Sequence, residues 1–393
     1  MKIAVWHNLP SGGGKRALFE QVRNLVGRGH HVEAWCPESA NADFLPLGQF
    51  AVEHRSSGID TTSEDKLLRS MDMHSRAVTE QILRGGFDVC FCAPCSYFRV
   101  PRLGRWLRGA VRSVLYLQEP QRWLYEASPN YPWLRVHPRA QNPFARAVAE
   151  ARDFRRIRFM QRAARRERDD IGAFDRVLVN SFFSRETLAR IYGINAYVSY
   201  LPYADTVFFE ARVARERFVV SVGSFDRIKM AESAVAAIAA SHTKPPLVWV
   251  ANSGDVAYEA EVTALAHEHS VDLQILYNVP DATLVSLLRR SQLLLYTPRL
   301  EPFGYAPVEA NACGAPVVAV AEGGVRETVI DRYNGLLRNR DARELGDAID
   351  ELMDNPELAD ELGTKGASFV RANWSPAKTI PTLEHQLRMV CGS

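Results

Sequence analysis

Short apolar runs alternate with longer amphipathic stretches along most of the chain. In the first half, five such runs follow one another: Ile3–Trp6, Val32–Cys36, Val89–Cys92, Val114–Leu117 and Val177–Asn180. In the second half, five more share the same character: Phe218–Val222, Leu247–Val250, Leu273–Leu276, Leu293–Tyr296 and Val317–Val320. Apolar runs of this length, each followed by helical periodicity, predict parallel strands that helices cover on both faces. The sequence therefore predicts an α/β fold with two Rossmann-like, doubly wound domains.

The apolar pattern breaks near Tyr200–Asp205, and we place the domain boundary there. Residues 1–200 hold 30 of the 48 Lys and Arg against 20 Asp and Glu, whereas residues 201–393 hold 18 against 26. We expect an N-terminal acceptor-side domain over residues 1–200 and a C-terminal donor-side domain over residues 201–375. A helix over residues 376–393 is expected to pack back on the first domain. The positive charge of the first half indicates an anionic partner.

The composition limits the class of protein. Hydrophobic residues make up 47% and charged residues 24% of the 393 residues, which excludes a disordered or fibrous chain. No run reaches the ~18–20 apolar residues of a membrane-spanning helix, and the first residues lack the apolar core of a signal peptide. Six cysteines are too few for a disulfide scaffold and favour a reducing compartment. We therefore expect a soluble cytoplasmic protein.

One segment, Tyr296–Gly314, carries the most informative pattern. A strand ends at its first residue, a loop carries Glu301, and a helix is expected from near Pro307, because proline fits the first helical turn. Glu301 and Glu309 flank this helix N-terminus, where unpaired backbone N–H groups attract anions. A phosphate on the amides, with carboxylates accepting hydroxyl hydrogens on either side, suits a nucleotide sugar. Alternatively, both glutamates face solvent near a helix start, where the macrodipole favours them.

The complete string resembles the E-x7-E motif of the family 4 retaining glycosyltransferases. Beside the two glutamates, the matching positions are Pro302, Phe303, Gly304, Ala310, Ala312, Cys313, Gly314, Pro316, Val317, Val318, Gly323, Gly324, Glu327, Asn334, Gly335 and Leu336. Members of this family have the GT-B architecture, in which two Rossmann-like domains face each other across a cleft. The resemblance implies transfer of a hexosyl group from a UDP- or GDP-linked sugar, with retention of the anomeric configuration.

The same resemblance implies roles for single residues. Glu301 would contact hydroxyl groups of the donor sugar, and Glu309 would contact hydroxyl groups of the ribose. Backbone amides from Gly304 to Pro307 would face the sugar and the diphosphate. The donor-binding positions implied in this segment are Phe303, Gly304, Tyr305, Ala306, Pro307 and Glu309.

A second match lies in the loop after the strand Phe218–Val222. Members of the family carry an arginine directly after the glycine of this loop and a lysine five residues later, both on the diphosphate. Here Lys229 occupies the lysine position, and Ser224 occupies the arginine position. We expect Arg227 to supply the second cation from the neighbouring turn. Such cations neutralise the charge that builds on the leaving phosphate.

Two loops of the first half complete the implied site. The glycine-rich loop after the first strand places Gly12 and Gly13 on the family's double glycine and Arg16 on its arginine. This loop is not a Walker A motif, because the G-x4-G-K-[ST] pattern does not occur. After the strand Val114–Leu117, Gln118 stands where many members have a histidine. Its amide forms hydrogen bonds but cannot move protons.

No metal or other cofactor is expected. Cys90, Cys92 and Cys95 lie close together, but no partnered Cys or His pair stands at the usual zinc spacing. We interpret these cysteines as small buried residues of a strand. The sequence also lacks a His-x3-His pair and a D-x-D triplet.

Two arginine-rich stretches stand apart from these motifs. One is a series at helical spacing, which we expect on one helix face: Arg99, Arg102, Arg105, Arg108 and Arg112. The other, between Arg135 and Arg168, holds 11 arginines against three acidic residues and an apolar stripe of Phe154, Ile157, Met160 and Ala164. A basic amphipathic helix of this kind lies on an anionic membrane, or it is a solvated helix whose stripe packs on its own domain. Nucleic acid is not expected, because no stacking aromatics are interleaved with the cations.

The expected function is therefore retaining hexosyl transfer to a hydroxyl of a glycan, a lipid-linked precursor, a glycolipid or a small molecule. The expected catalytic residues are Glu301, Lys229, Arg227 and Gln118. No side-chain nucleophile is evident on the acceptor side, so we favour front-face attack, with the leaving diphosphate accepting the acceptor's proton. The alternatives are a non-catalytic nucleotide-sugar-binding subunit of a partner transferase, and a nucleotide-sugar epimerase. The E-x7-E pattern argues against the epimerase.

Overall fold

The computed structural model describes residues 1–125, 143–211 and 213–392. The N-terminal sheet has the strand order β3-β2-β1-β4-β5-β6-β7, with all pairs parallel. Its strands are β1 Lys2–Asn8, β2 His31–Pro37, β3 Val52–Ser56, β4 Val89–Cys95, β5 Arg112–Tyr116, β6 Arg176–Val179 and β7 Tyr197–Val198. The strand order reverses between β1 and β4, which is where doubly wound sheets bind their ligands.

Helices cover both faces of this sheet. Those of the N-terminal domain are α1 Gly13–Gly27, α2 Glu64–Gly85, α3 Gly104–Leu107, α4 Arg122–Tyr125, α5 Pro143–Ile171 and α6 Phe182–Tyr192, with a 3₁₀ turn at Leu47–Gln49. Serine side chains cap two of them, Ser63 at α2 and Ser181 at α6, each accepting a hydrogen bond from a backbone N–H of the first turn.

The C-terminal sheet has the order β10-β9-β8-β11-β12-β13 and is also parallel. Its strands are β8 Glu216–Val222, β9 Leu247–Ala251, β10 Leu273–Tyr277, β11 Ser291–Tyr296, β12 Val317–Val320 and β13 Gly335–Arg338. The helices that follow are α7 Ala231–Ala240, α8 Val256–Glu268, α9 Asp281–Arg290, α10 Tyr305–Ala312, α11 Val325–Thr328, α12 Ala342–Met353, α13 Pro356–Trp374 and α14 Pro376–Cys391.

The prediction of two doubly wound α/β domains is confirmed, and all ten predicted strands are present within a few residues. The sequence did not predict β3, β7 or β13. β3 lies at a sheet edge with Val52 59% exposed, so its residues need not be apolar. β7 has only two residues, and β13 is a four-residue strand at one edge of the second sheet. Short or edge strands leave little hydrophobic pattern to detect.

Helix α14 lies against the N-terminal domain, although it follows the C-terminal domain in the chain. The Arg28 Nε and Glu384 Oε2 atoms are 2.7 Å apart, and Arg176 donates to Gln386 at 2.5 Å. The apolar side of α14 is buried, with Leu383 2% exposed. The two connections between the domains lie side by side, because the amide of Tyr203 donates to the carbonyl of Trp374 at 3.2 Å.

The expected single helix through the first arginine series is wrong. Only the four residues of α3 are helical there, and Arg99 has a left-handed backbone with φ of 42°. Arg102 donates to both carboxylate oxygens of Asp72, and Arg105 contacts Asp170. These arginines fix the loop to its own domain. Residues 135–142 of the second basic stretch lie outside the described residues.

Candidate active site

Loops from both sheets meet at the carboxyl ends of their strands. The loop after β1 approaches the loop after β9, where the Asn252 amide donates to the Ser11 carbonyl at 3.0 Å. The same β1 loop reaches α10, since a Cβ on Gly13 would lie 4.0 Å from the Tyr305 side chain. Ligands of parallel α/β sheets bind at this end. The cleft between the domains is therefore the candidate site.

Glu301 and Lys229 form the centre of the cleft on the C-terminal side. The Lys229 Nζ and Glu301 Oε2 atoms are 2.7 Å apart, with 21% and 16% of the side chains exposed. Burial lowers the pKa of Lys229, but the carboxylate of Glu301 outweighs this effect, so the pKa rises. Lys229 is consequently an ammonium group next to a carboxylate, 72 residues away in sequence.

The double glycine at 323 and 324 supports the loop that carries Glu301. The amide of Gly324 donates to the Glu301 carbonyl at 2.7 Å. A Cβ on Gly324 would lie 2.0 Å from the carbonyl oxygen of Pro302, so the close backbone approach requires glycine. This part of the matched pattern thus positions Glu301.

Helix α10 begins at Tyr305, two residues before the predicted start near Pro307. Gly304 precedes it with φ of 88° and offers no side-chain cap, so no capping side chain occupies the first amides of the helix. The sequence analysis assigned an amide to Pro307, but proline has no backbone N–H. Tyr305 and Ala306 are therefore the residues that can donate to an anion at this helix end.

Glu309 lies one turn into α10 and is 5% exposed. Its Oε1 atom is 3.4 Å from Arg16 Nε and has no hydrogen-bond partner among the described residues. Burial raises the pKa of Glu309 to about 7, while Arg16 opposes the rise and Asp281 adds to it. The guanidinium of Arg16 is held by Asp281 through two hydrogen bonds, at 2.9 and 2.5 Å. One arginine of the N-terminal domain thus joins two acidic residues of the C-terminal domain.

The glycine-rich loop and Gln118 of the N-terminal domain lie next to each other, and the loop contacts the C-terminal domain. A Cβ on Gly12 would be 3.2 Å from the Asn252 side chain, so no larger residue fits without displacement. Gln118 is half-buried, with its side-chain amide 3.9 Å from the Cβ position of Gly14. Its backbone carbonyl accepts a hydrogen bond from Ser184 at 2.7 Å. Gln118 thus faces the glycine loop from the end of β5.

One predicted residue, Arg227, is not brought into the cleft. Arg227 is 63% exposed and pairs with Glu261 at 2.6 Å, its guanidinium 5.1 Å from the centre of the Tyr258 ring. The Ser224 hydroxyl donates to Asp226 at 2.7 Å. The turn that contains Arg227 and Lys229 thus directs Arg227 to the surface and Lys229 to Glu301.

The side chain of Phe303 is buried rather than open to a ligand. It is 2% exposed and packs against Tyr200 and Trp374, with ring centres 6.0 Å apart in each case. These rings lie where the two domain connections meet. The Phe303 side chain consequently packs against the connections between the domains, and only its backbone can face the donor.

Sequence reasoning missed two residues that join the domains at the cleft. Asp281 at the start of α9 holds Arg16, and Asn252 after β9 holds the glycine loop. Asp281 and Asn252 both follow the carboxyl end of a strand. That position in the alternating pattern is the signal that could have identified them.

Glu327, part of the matched pattern, joins the two domains. Its carboxylate accepts from the amides of Phe182 and Phe183 at 3.0 Å each, and from the Tyr200 hydroxyl at 2.8 Å. These amides form the start of α6, whose positive end favours a carboxylate. A residue of the C-terminal domain thereby stabilises a helix of the other domain.

A buried cluster under α1 offers three types of metal ligand. Ligand atoms of His7, Cys36 and Glu53 lie within 4.8 Å of one another. Burial, together with the charges of Lys15 and Arg55, keeps the pKa of His7 well below its usual value. The same two cations oppose a divalent cation in this place. The cluster is therefore a poor candidate for a metal site.

Comparison with known proteins extends these observations. Residues 205–369 match the family described as glycosyl transferases group 1. The α-1,3/1,6-mannosyltransferase ALG2 of Kluyveromyces lactis is 27% identical over 278 residues, covering 56% of this chain and 55% of that protein. The corresponding protein of Neurospora crassa is 34% identical over 126 residues, covering 31% of this chain and 27% of that protein. The chain thus spans about half or less of these relatives.

Solved structures share the whole architecture at low identity. Sucrose-phosphate synthase of Thermosynechococcus elongatus superimposes with a TM-score of 0.75 at 18% identity, covering 99% of both chains. Anabaena Alr3699/HepE in complex with UDP-glucose gives a TM-score of 0.75 at 16% identity, covering 99% of this chain and 100% of that one. No helix of the described residues is both long and apolar enough to cross a membrane. The chain as a whole thus has the GT-B fold, and its residues 205–369 match the group 1 glycosyl transferases.

Proposed function

We propose that this chain is a retaining hexosyltransferase that uses a UDP- or GDP-linked sugar and no metal. The observation that carries the proposal is the start of α10, which no side chain caps, with Glu301, Lys229 and Glu309 around it. The mannosyltransferase names of the relatives and the UDP-glucose complex of a structural neighbour support the donor class. Backbone amides at a helix start suit a diphosphate, and carboxylates suit sugar hydroxyls.

In the proposed mechanism, the donor replaces the contacts that the cleft residues make with each other. Sugar hydroxyls donate to Glu301. The leaving diphosphate pairs with Lys229 and accepts hydrogen bonds from the backbone amides of Tyr305 and Ala306. Ribose hydroxyls donate to Glu309. The ammonium of Lys229 then opposes the charge that grows on the diphosphate as the glycosidic bond breaks. The acceptor hydroxyl attacks from the same face, and its proton passes to the leaving phosphate.

The proposed acceptor lies on the N-terminal side and is a glycan, a lipid-linked precursor or a small molecule. Gln118, whose side-chain amide lies beside the glycine loop, would orient the acceptor hydroxyl by hydrogen bonds. A peripheral position at the cytoplasmic face of a membrane would bring lipid-linked acceptors to this side.

The test is release of UDP or GDP from candidate donor sugars by the purified full chain. Glu301→Gln and Lys229→Met should each reduce release by at least about a hundredfold, as expected when transition-state contacts are removed. Glu361 and Lys365 form a matched surface pair on α13, with Nζ and Oε1 2.5 Å apart. Glu361→Gln and Lys365→Met should leave release unchanged. Equal rates in both pairs of variants would refute the proposed site.

A non-catalytic nucleotide-sugar-binding subunit is the second candidate. It is favoured by Gln118, which cannot move protons, and by Ser224, whose hydroxyl is engaged with Asp226. Such a subunit would show a rise in melting temperature with UDP, GDP or their sugars but would release no nucleotide. An enzyme would hydrolyse the donor slowly even without an acceptor, so the two measurements separate the candidates.

A further inference from the structure

Helix α5 is fixed to the N-terminal domain by its C-terminal half. Glu167 accepts from the amide of Gln121 at 3.1 Å, and the Tyr125 hydroxyl donates to the Ala164 carbonyl at 3.4 Å. Arg166 donates to Glu64 at 2.7 Å. Glu167, Asp170 and Ile171 are buried. One side of this half therefore faces the domain, and the opposite side faces outward.

The outward side of α5 is strongly basic. Between residues 152 and 168 the helix carries eight arginines, of which all but Arg166 are exposed. The acidic residues of this stretch are Asp153 and Glu167, and Glu167 is buried against the domain. At 3.6 residues per turn, Arg155, Arg158, Arg162 and Arg165 share an arc of about 100°. The outward arc therefore presents a row of guanidinium groups.

Aromatic side chains border this row of arginines and are not covered by the domain. Phe154 is 58% exposed and Phe159 is 40% exposed, and the helical period places them at the two edges of the arc. Trp123, 45% exposed, stacks on Phe159 with ring centres 6.0 Å apart and an angle of 10°. A solvated helix whose apolar stripe packs inward would not leave Phe154 in water.

A groove adjoins the same arc at the C-terminal half of α5. It has a volume of about 370 Å³ and is lined by Leu68, Asp169 and five arginines, of which Arg162, Arg165 and Arg166 belong to α5 and Arg102 and Arg105 to the segment before β5. The inner arginines are paired with carboxylates of the domain. Within the described residues, Arg162 and Arg165 have no carboxylate partner, so their charge is available to an external anion.

We propose that the outward arc of α5, together with Trp123, docks on an anionic lipid bilayer. The row of arginines and the groove would contact headgroup phosphates, and Phe154, Phe159 and Trp123 would enter the boundary between headgroups and acyl chains. A bilayer surface offers negative charge and an apolar layer side by side, which matches this arrangement. Membrane docking would bring the chain to a lipid-linked acceptor, and this part of the inference rests on the proposed function. Vesicle binding itself does not require transfer activity.

The experiment is cosedimentation of the full chain with vesicles of phosphatidylcholine containing about 30% phosphatidylglycerol, and with pure phosphatidylcholine. We expect binding to the anionic vesicles that weakens with salt, and little binding to the neutral ones. The double variant Arg155→Gln/Arg162→Gln should weaken partitioning about thirtyfold, since each arginine near the surface contributes about a factor of five. Phe154→Ser/Phe159→Ser should also weaken it. Matched controls are Arg190→Gln on α6 and Val256→Ser on α8, both exposed and away from α5.

Several outcomes would overturn the proposal. These are equal binding to both vesicle types, no binding to either, or α5 variants that bind like the wild type. Concentration-dependent dimers or RNA binding that the α5 variants abolish, without vesicle binding, would assign the surface to another partner. Far-UV circular dichroism and nucleotide-induced stabilisation show that the variants are folded. Glu301→Gln should bind vesicles like the wild type while losing donor turnover, so failure of one proposal is distinguishable from failure of the other.

Discussion

The buried carboxyl group of Glu309 predicts a pH dependence of stability that one substitution removes. Its pKa is about 7 in the folded protein, compared with 4.5 for an unperturbed glutamate, because burial disfavours the charged form. The cation of Arg16, 3.4 Å away, limits the rise without cancelling it. The variant Glu309→Gln keeps the shape of the side chain but has no titratable group.

The sign follows from proton linkage. Between pH 4.5 and 7 the folded state holds a proton on Glu309 that the unfolded chain has released. The contribution of Glu309 to stability is therefore fully present below pH 4.5 and is lost as the pH rises through 7. At 1.36 kcal/mol per pKa unit, the full loss is about 3 kcal/mol. About 2.5 kcal/mol of this loss falls between about pH 5 and pH 8.

The assay is urea denaturation of wild type and Glu309→Gln at both pH values, followed by tryptophan fluorescence. We expect the free energy of unfolding of the variant minus that of the wild type to be about 2.5 kcal/mol larger at pH 8 than at pH 5, since the variant escapes the loss. Comparing the two proteins cancels other titrating groups, including Glu20, whose pKa burial also raises to about 7. The exposed Glu268 of α8 provides the control Glu268→Gln, for which no such difference is expected.

A difference between variant and wild type that is the same at both pH values would refute the reasoning. It would mean that the Glu309 carboxylate is already well solvated or paired in the folded protein. The nucleotide adds a second arm to the experiment. If ribose hydroxyls donate to Glu309, bound UDP or GDP should lower its pKa and reduce the pH dependence of the wild type.

The remaining predictions concern the cleft and its support. Arg227→Ala should leave nucleotide release within about twofold of wild type, because the guanidinium pairs with Glu261 at the surface; a large loss in a kinetic assay would return Arg227 to the site. Gly324→Ala should destabilise the protein by about 2 kcal/mol or more in thermal unfolding, because its Cβ would lie 2.0 Å from a carbonyl oxygen; an unchanged melting temperature would contradict the close approach. EDTA should not reduce nucleotide release, and a loss that zinc or magnesium restores would show that a metal participates.

The fold was predictable because its strands are buried on both faces and so appear as apolar runs. The strand β4, for example, is buried at each of its seven positions, and its apolar run was found directly. The strand β3 was missed because it lies at a sheet edge and contains the polar residues Glu53, His54 and Arg55, which interrupt the apolar pattern. Hydrophobic patterns therefore reveal the centres of both sheets better than their edges.

The candidate site was predictable only in part, because side-chain direction is not written in local sequence. Lys229 and Arg227 are two residues apart, yet one meets Glu301 and the other meets Glu261. The pair of Arg16 and Asp281 joins positions 265 residues apart, and nothing near either residue indicates the other. Contacts across the cleft depend on how the two domains meet, which no local pattern encodes.

The return of α14 to the N-terminal domain has a consequence for biosynthesis. The surface that α14 covers includes β4, β5 and α1, which precede the second sheet in the chain, whereas α14 follows it. During synthesis, the apolar surface of the first domain that α14 covers therefore stays exposed until the whole second sheet has been translated. Domains that fold in order of synthesis are complete before the next one emerges; here the first domain is complete only after the second has been made.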